Sequence, residues 1–433
     1  MNDWEFLVAK ARPLGVLVSN GIKRATFPVS PGSKVRVASK EKLEKFLGLD
    51  LEKGLFLGSI DNHGVDVRLS LSKLLQKHLA ILAMSGAGKS YTVSVLLEEL
   101  LDRKKEFGRV AVVLFDVHGE YLNFGEPVKP GIDAVDYSDR VRVIKACDIR
   151  IAVSNLNADF VSSMVGKLSG PQKRHLARVF AKLKQEMRDG LGPFDFEAVK
   201  NEVVSDDSVG ESTKNALVGM IYGLEDLNVF GKIDYPNILD FVQPGMLTIV
   251  DLSSVVSMKK KQIIVNYFNT KMFFDRRSKR IPPFVCVLEE AHQFVPEGAA
   301  RENALSKQII ETVAREGRKF GACICLVSQR PIKLSTTVLS QCNTHLIMRI
   351  TNPYDLNHIG QSSEGLDQKS LDAITSLRVG EGLLVGEAVN YPCFFKVRKR
   401  KSQDSKHQVS LEQEAFGFEK DLEQRDKDTD AFI

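Results

Sequence analysis

The sequence predicts an α/β fold, a largely parallel sheet with helices on both sides, and three observations carry that prediction. Short continuous apolar runs recur along the chain, as strands buried on both faces require. Helical periodicities separate these runs, the alternation that builds a parallel sheet. One run, residues 79–83, opens directly into a Gly-rich loop and then an amphipathic helix.

Taken in order, residues 1–70 carry β-like runs at 16–18, 35–37, 54–60 and 65–69 between Pro, Gly, Asn and Asp turns, which predicts a small β-rich N-terminal module. Residues 71–154 read as the first part of the core. Within it, Val93, Leu96, Leu97, Leu100 and Leu101 recur at the spacing of a helix packed on a sheet. The run 110–115 ends in Asp116. Residues 155–232 turn to helical periodicities rich in Lys, Glu and Arg and read as a helical insertion. The core resumes over 233–397, with apolar runs at 246–250, 284–288, 322–327, 345–350 and 382–385. Residues 398–433 form a charged C-terminal tail, expected to be mobile or to order only on assembly.

Composition bounds the function classes. The 433 residues suit a large core with additions. No run approaches the roughly 18 apolar residues of a membrane helix, and the first residues lack a basic region followed by an apolar stretch, so neither a membrane association nor secretion is expected. The net charge of +5 neither demands nor opposes a nucleic-acid partner. Six cysteines without CxxC spacing, with Cys286, Cys323 and Cys325 in apolar runs, read as reduced thiols of a cytoplasmic protein. Eight scattered histidines show no paired ligand spacing, so a structural metal is not expected.

The loop after residue 83 reads as a nucleotide phosphate site. Ser85, Gly86, Ala87 and Gly88 are small enough for their backbone N–H groups to curl around an anion. Lys89 reaches the outer phosphates, Ser90 ligates Mg²⁺, and Tyr91 follows at the start of the helix. The first glycine of the usual P-loop pattern is replaced by Ala83, which can start the turn only if its backbone angles are ordinary. ATP and Mg²⁺ are the cofactors this pattern predicts.

An ATPase also needs a carboxylate for the metal and a group that orients or deprotonates water, both at the ends of core strands. After the run 284–288, Glu289 is placed beside the metal and Glu290 toward the water; the alternative is a pair of acidic caps on a helix. Gln329, following the run 322–327, is placed to sense the terminal phosphate or to orient water. Arg315 and Arg318 lie on neighbouring positions of a helical turn, and either could neutralise transition-state charge, or lie on a solvated face with Glu311 paired to Arg315. Lys259, Lys260 and Lys261, or Arg330 and Lys333, are either a grip on phosphates or a solvated surface.

FDVHGEY (residues 115–121), LEEAHQFVP, AREGRKFG and SQRPIKLSTTVLSQCNTHLIMRITNPYD occur in this order, and together they resemble the HerA branch of the HerA and FtsK translocase superfamily over most of residues 54–390. The resemblance implies a RecA-like P-loop ATPase core with a helical insertion and a small N-terminal β-barrel-like domain. It implies a homo-hexameric, ATP-driven DNA translocase or helicase that acts on duplex ends, independently of sequence, with a NurA-type nuclease. Carried over, Lys89 and Ser90 bind phosphate and Mg²⁺, Glu290 activates water, Gln329 senses phosphate, and Arg315 is the finger supplied across a subunit boundary. Asp116, His118 and Glu120 match the family's acidic loop, either touching nucleotide or shaping the site. Two other readings remain at this point: a conjugation or secretion ATPase, and a nucleotide-gated ring that scaffolds a nuclease or defence effector.

Overall fold

A computed structural model describes residues 13–18, 21–23, 25–60, 63–166, 168–298, 304–363, 365–404 and 411–430. Strands β1 (Val16–Val18) and β2 (Gly21–Lys23) form an antiparallel hairpin. The next strands are β3 (Leu55–Ile60), β4 (Val65–Leu69), β5 (Leu79–Leu82), β6 (Ala111–Asp116) and β7 (Val141–Lys145). The short β8 (Ile151–Ala152) and β9 (Phe230–Gly231) pair with each other in parallel. After them come β10 (Leu247–Asp251), β11 (Phe284–Leu288), β12 (Ala322–Ser328), β13 (Thr344–Met348), β14 (Glu381–Gly386) and β15 (Cys393–Val397).

Eleven of these strands make one sheet, in the order β4-β3-β15-β14-β13-β5-β12-β11-β6-β10-β7. From β13 to β7 every pairing is parallel. From β13 to β4 every pairing is antiparallel. Because successive side chains of a strand point to opposite faces, each central strand feeds two cores. Leu79 and Ile81 of β5 pack with Val93, Leu96, Leu97, Leu100 and Leu101 of the helix Lys89–Leu101, while Ala80 and Leu82 pack with residues of the helices Met258–Arg277 and Lys307–Glu316. Full burial of each such Leu or Ile stabilises by roughly 1.5–3 kcal/mol. That two-sided burial is why these strands read as uninterrupted apolar runs. It also holds the carboxyl ends of β5, β12, β11 and β6 side by side, where a ligand of an open α/β sheet binds.

Residues 155–232 do contain a helical layer: Ala158–Val165, Gly170–Glu186, Phe196–Ser205 and Glu211–Glu225, with the β8–β9 pair closing it at both ends. Three of the helix starts are capped by side chains: Asn157 accepts from the Phe160 amide, Asp195 from the Ala198 amide, and Ser169 forms a capping box with Gln172.

Two expectations need correction. The runs 54–60 and 65–69, read as part of a separate barrel-like module, become β3 and β4 on the edge of the main sheet, where β3 pairs with β15. Their alternation is real, and the partner that recruits them lies more than three hundred residues later. Residues 35–37 form no strand, and Val35 and Val37 are exposed. Among the described residues before Leu55, the paired strands are those of the β1–β2 hairpin.

The tail is the second correction. Residues 398–404 lie as a strap along the helix Lys89–Leu101. Glu98, fully buried, accepts from Arg398 Nη1 (2.7 Å), the Lys401 amide (2.9 Å), the Ser402 amide (2.8 Å) and Ser402 Oγ (2.7 Å). Arg398 Nη2 also bonds Glu99 at 2.8 Å, and the Arg400 amide donates to Tyr91 Oη at 2.7 Å. Charge alone suggested solvation; here Arg398 finds buried Glu98 as a partner of opposite sign. Residues 405–410 and 431–433 of the expected tail lie outside the described residues, and 411–430 are helical.

Candidate active site

The loop between β5 and the helix Lys89–Leu101 has the backbone a phosphate cradle requires. Gly86 (φ 76°) and Gly88 (φ 98°) are both left-handed, a region that disfavours any side chain. At Gly88 a Cβ would also lie 3.3 Å from Met348 Cε and 3.4 Å from the Gly380 amide. Ala83 keeps ordinary angles, and its amide donates to the Ser328 carbonyl at 3.2 Å, tying the loop entrance to β12. The substituted first glycine is therefore not needed here.

Opposite the loop, β6 ends in Asp116, whose buried carboxylate gathers four amides: His118 (3.2 Å), Gly119 (2.7 Å), Glu120 (3.2 Å) and Tyr121 (2.9 Å). Asp116 thus shapes the turn, and the turn delivers Glu120 to Ser90, whose hydroxyl donates to Glu120 Oε2. Lys89 Nζ lies 3.2 Å from Glu290 Oε1 and 3.5 Å from Glu289 Oε1. Burial works against the lysine's charge, but Glu289, Glu290 and Glu120 outweigh it and raise its pKa. Glu289 is fully buried and accepts the Val117 amide at 2.9 Å. Burial pushes its pKa up to about 9, with Lys89 opposing and Asp116 and Glu120 adding to the rise.

Glu290 sits in the left-handed region (φ 47°, ψ 46°), a conformation that costs a non-glycine residue on the order of 1–3 kcal/mol and here turns its side chain back over the loop. Its Oε2 is buried without a well-formed hydrogen bond; His292 Nδ1 lies 3.2 Å away. Met84, Ser85, Gly86, Gly88, Lys89, Ser90, Tyr91, His118, Glu120, Glu290 and Gln329 line one cleft of about 850 Å³, together with Val379, Gly380, Lys396 and Val397. Among the predicted site residues, Ala87 lies buried beneath the loop and Glu289 behind the cleft wall.

The remaining predicted residues lie elsewhere. Arg315 is half exposed on the helix Lys307–Glu316, 3.9 Å from Glu311 Oε2, and does not line the cleft of its own chain. Arg318 is exposed and forms no ion pair among the described residues. The lysine run is divided: Lys261 is buried, Lys260 Nζ donates to the Asn228 carbonyl at 3.3 Å, and Lys259 is exposed. Arg330 and Lys333 are exposed. Sequence reasoning flagged Glu120 without a role, and the pairing with Ser90 supplies one. It missed His292 and Ser328; the histidine two positions after Glu290 was the available signal.

The donor set suits a magnesium nucleotide rather than a cation held by protein alone. Among the described residues no three His, Cys, Asp or Glu side chains converge as a cation cage. Mg²⁺ in such sites takes one or two protein groups and completes its shell with waters and phosphate oxygens. Ser90 Oγ with Glu120 beside it offers that, and the orphaned Glu290 Oε2 leaves an acceptor for a water.

Residues 55–272, half of the chain, match the family model described as the central domain of helicase HerA. The chain belongs to the HerA helicase family. The DNA double-strand break repair helicase HerA of Pyrococcus furiosus is 28% identical over 92% of this chain and 78% of its own length. That of Sulfurisphaera tokodaii is 27% identical over 87% and 75%. Among solved structures, VirB4 of Thermoanaerobacter pseudethanolicus aligns with a TM-score of 0.60 at 15% identity, covering 81% of this chain and 97% of that one. The plasmid coupling protein TrwB in complex with a non-hydrolysable ATP analogue aligns at 0.53 with 14% identity, covering 89% and 98%. These two likenesses concern the fold. HerA helicases are P-loop ATPases, so this HerA-family chain is an ATP-hydrolysing enzyme. Among its described residues no helix is long and apolar enough to cross a membrane.

Proposed function

We propose that this HerA-family protein is an ATP-driven DNA translocase that works as a homo-hexamer in DNA end processing and repair, together with a NurA-type nuclease. The observation that carries the reading is the single cleft in which Lys89, Ser90, Glu290 and Gln329 face one another. The relatives named as double-strand break repair helicases favour DNA as the partner. The buried free thiols suit a cytoplasmic site of action.

In this reading the loop amides and Lys89 would hold the phosphates of ATP, and Ser90, with Glu120 beside it and Glu289 behind the cleft wall, would hold Mg²⁺, which would supply charge neutralisation at the phosphates. Lys89 then exchanges its contact with Glu290 for the nucleotide. The freed carboxylate takes the proton of the attacking water, and Gln329 orients the terminal phosphate. Arg315, which does not line the cleft of its own chain, serves the cleft of the neighbouring subunit, so hydrolysis requires the assembled ring. Contacts to DNA go mainly to phosphates and weaken with salt.

The test is ATP hydrolysis with and without linear duplex DNA over a salt series. The reading expects stimulation by DNA that fades as salt rises. An ATPase indifferent to DNA would instead favour a secretion-type motor or a scaffold.

A further inference from the structure

Two side chains approach the Glu290 carboxylate, one at each oxygen: Lys89 Nζ at 3.2 Å from Oε1 and His292 Nδ1 at 3.2 Å from Oε2. Lys89 is the group that turns to phosphate when ATP binds. His292 is then the side chain left beside the carboxylate. It stands in the short turn Ala291–Gln293 directly after Glu290, largely buried, so its ring has little freedom to leave.

The same Nδ1 lies 3.1 Å from Ser328 Oγ. Ser328 is fully buried and ends β12, immediately before Gln329, and its hydroxyl oxygen also accepts the Arg330 amide at 3.1 Å. One ring nitrogen therefore touches the end of β11, through Glu290, and the end of β12, through Ser328. Burial holds the imidazole pKa below its ordinary value, with Glu290 opposing, so at neutral pH the ring carries one N–H. A bare nitrogen lone pair facing a carboxylate oxygen at this distance would be repelled, which places that proton on Nδ1. A single N–H thus faces two acceptors, and the well-formed bond is the one to Ser328, leaving Glu290 Oε2 orphaned.

We propose that His292 is a positioning residue that passes its Nδ1–H between Ser328 and Glu290, and so couples the placement of Gln329 to the orientation of the catalytic carboxylate. When the terminal phosphate draws Gln329 inward, Ser328 moves with it. The N–H turns to Glu290 Oε2 and steadies the carboxylate toward water. The inference rests on Glu290 being the base of the proposed reaction.

The experiment compares His292→Leu, His292→Asn, Ser328→Ala and the Leu/Ala double variant with the parent. It records kcat and KM for ATP, affinity for a fluorescent ATP analogue, and Tm. A hydrogen bond to a charged group corresponds to roughly a 10- to 100-fold effect. His292→Leu should lower kcat by that factor while KM, analogue affinity and Tm stay near parental. Asn carries an amide N–H close to the Nδ1 position and should recover most of the loss. The double variant should be no slower than His292→Leu, because both changes break one bridge. Parental kcat in His292→Leu, an Asn variant as slow as Leu, or additive losses would overturn the proposal. If the Leu variant does not fold, Ser328→Ala decides: a lowered kcat at parental KM supports the bridge, and unchanged kcat overturns it. Failure of the underlying reading looks different, since Glu290→Gln would then leave the parental hydrolysis intact.

Discussion

Replacing Glu98 with Ala should release the strap of residues 398–404 from the nucleotide-binding helix. The buried carboxylate accepts four hydrogen bonds from the strap, one of them from the Arg398 guanidinium. Removing one partner of a buried ion pair costs about 3–5 kcal/mol, because the remaining charge is left uncompensated. Here the cost falls toward the lower end, since Arg398 retains Glu99 at 2.8 Å and the Phe56 carbonyl at 3.0 Å. The two backbone amides and the Ser402 hydroxyl keep no such substitute, and each adds on the order of 1 kcal/mol if it stays dry. A net loss of roughly 3–6 kcal/mol follows, about 3 from the ion pair and the rest only where the three donors stay dry, and it is largely local to the strap. Trypsin reads it directly, because Arg398, Lys399, Arg400 and Lys401 are consecutive cleavage sites. The parent should resist cutting there, Glu98→Ala should be cut early, and Glu98→Gln, which keeps a carbonyl acceptor, should lie between. Equal cutting rates for parent and Glu98→Ala, with equal urea midpoints, would refute the reasoning.

Stability should also fall in mild acid. Burial holds His78 and His345 near pKa values of about 4, and the His78 ring is fully committed, Nε2 to the Ala314 carbonyl and Nδ1 to the Ile324 amide. The unfolded chain takes up these protons below about pH 6.5 and the folded chain does not until about pH 4, so stability declines as pH falls through that window, by up to roughly 3 kcal/mol for each histidine. Urea midpoints at pH 7 and 4.5 check this, and His78→Gln should flatten the dependence. Gly88→Ala forces a Cβ into a left-handed position 3.3 Å from Met348 Cε and should weaken binding of a fluorescent ATP analogue at least tenfold, about 1.4 kcal/mol or more. A finger in trans predicts that Lys89→Ala and Arg315→Ala, each inactive alone, regain part of the ATPase when mixed before assembly; no recovery would remove Arg315 from that role.

Much of this was legible in the chain because its physical demands are local. Left-handed Gly86 and Gly88 and two-sided burial of β5, β6, β10, β11 and β12 leave marks on consecutive residues. The main-sheet strands that escaped notice are the two that burial does not make uniformly apolar: β7 is largely half-buried at the sheet edge, and β15 alternates buried with exposed residues. Where β3 and β4 go depends on β15, a distant partner that no spacing announces. Glu98 shows what no local pattern carries: it stands beside Leu97 in the helix, and it is fully buried because residues 398–402 bring donors to it. In the site, Glu290 and Gln329 followed from strand ends, whereas the roles of Asp116 and Glu120 required the turn geometry that separates a carboxylate gathering amides from one facing Ser90.

The central claim is that this cleft turns ATP hydrolysis into movement along DNA. The most direct measurement is ATP-dependent displacement of streptavidin from the end of a biotinylated linear duplex, by the parent and by Glu290→Gln. The account predicts displacement by the parent, lost without ATP and lost in Glu290→Gln while that variant still binds nucleotide. Displacement that survives Glu290→Gln, or a parent that hydrolyses ATP on DNA and never moves the block, would contradict it.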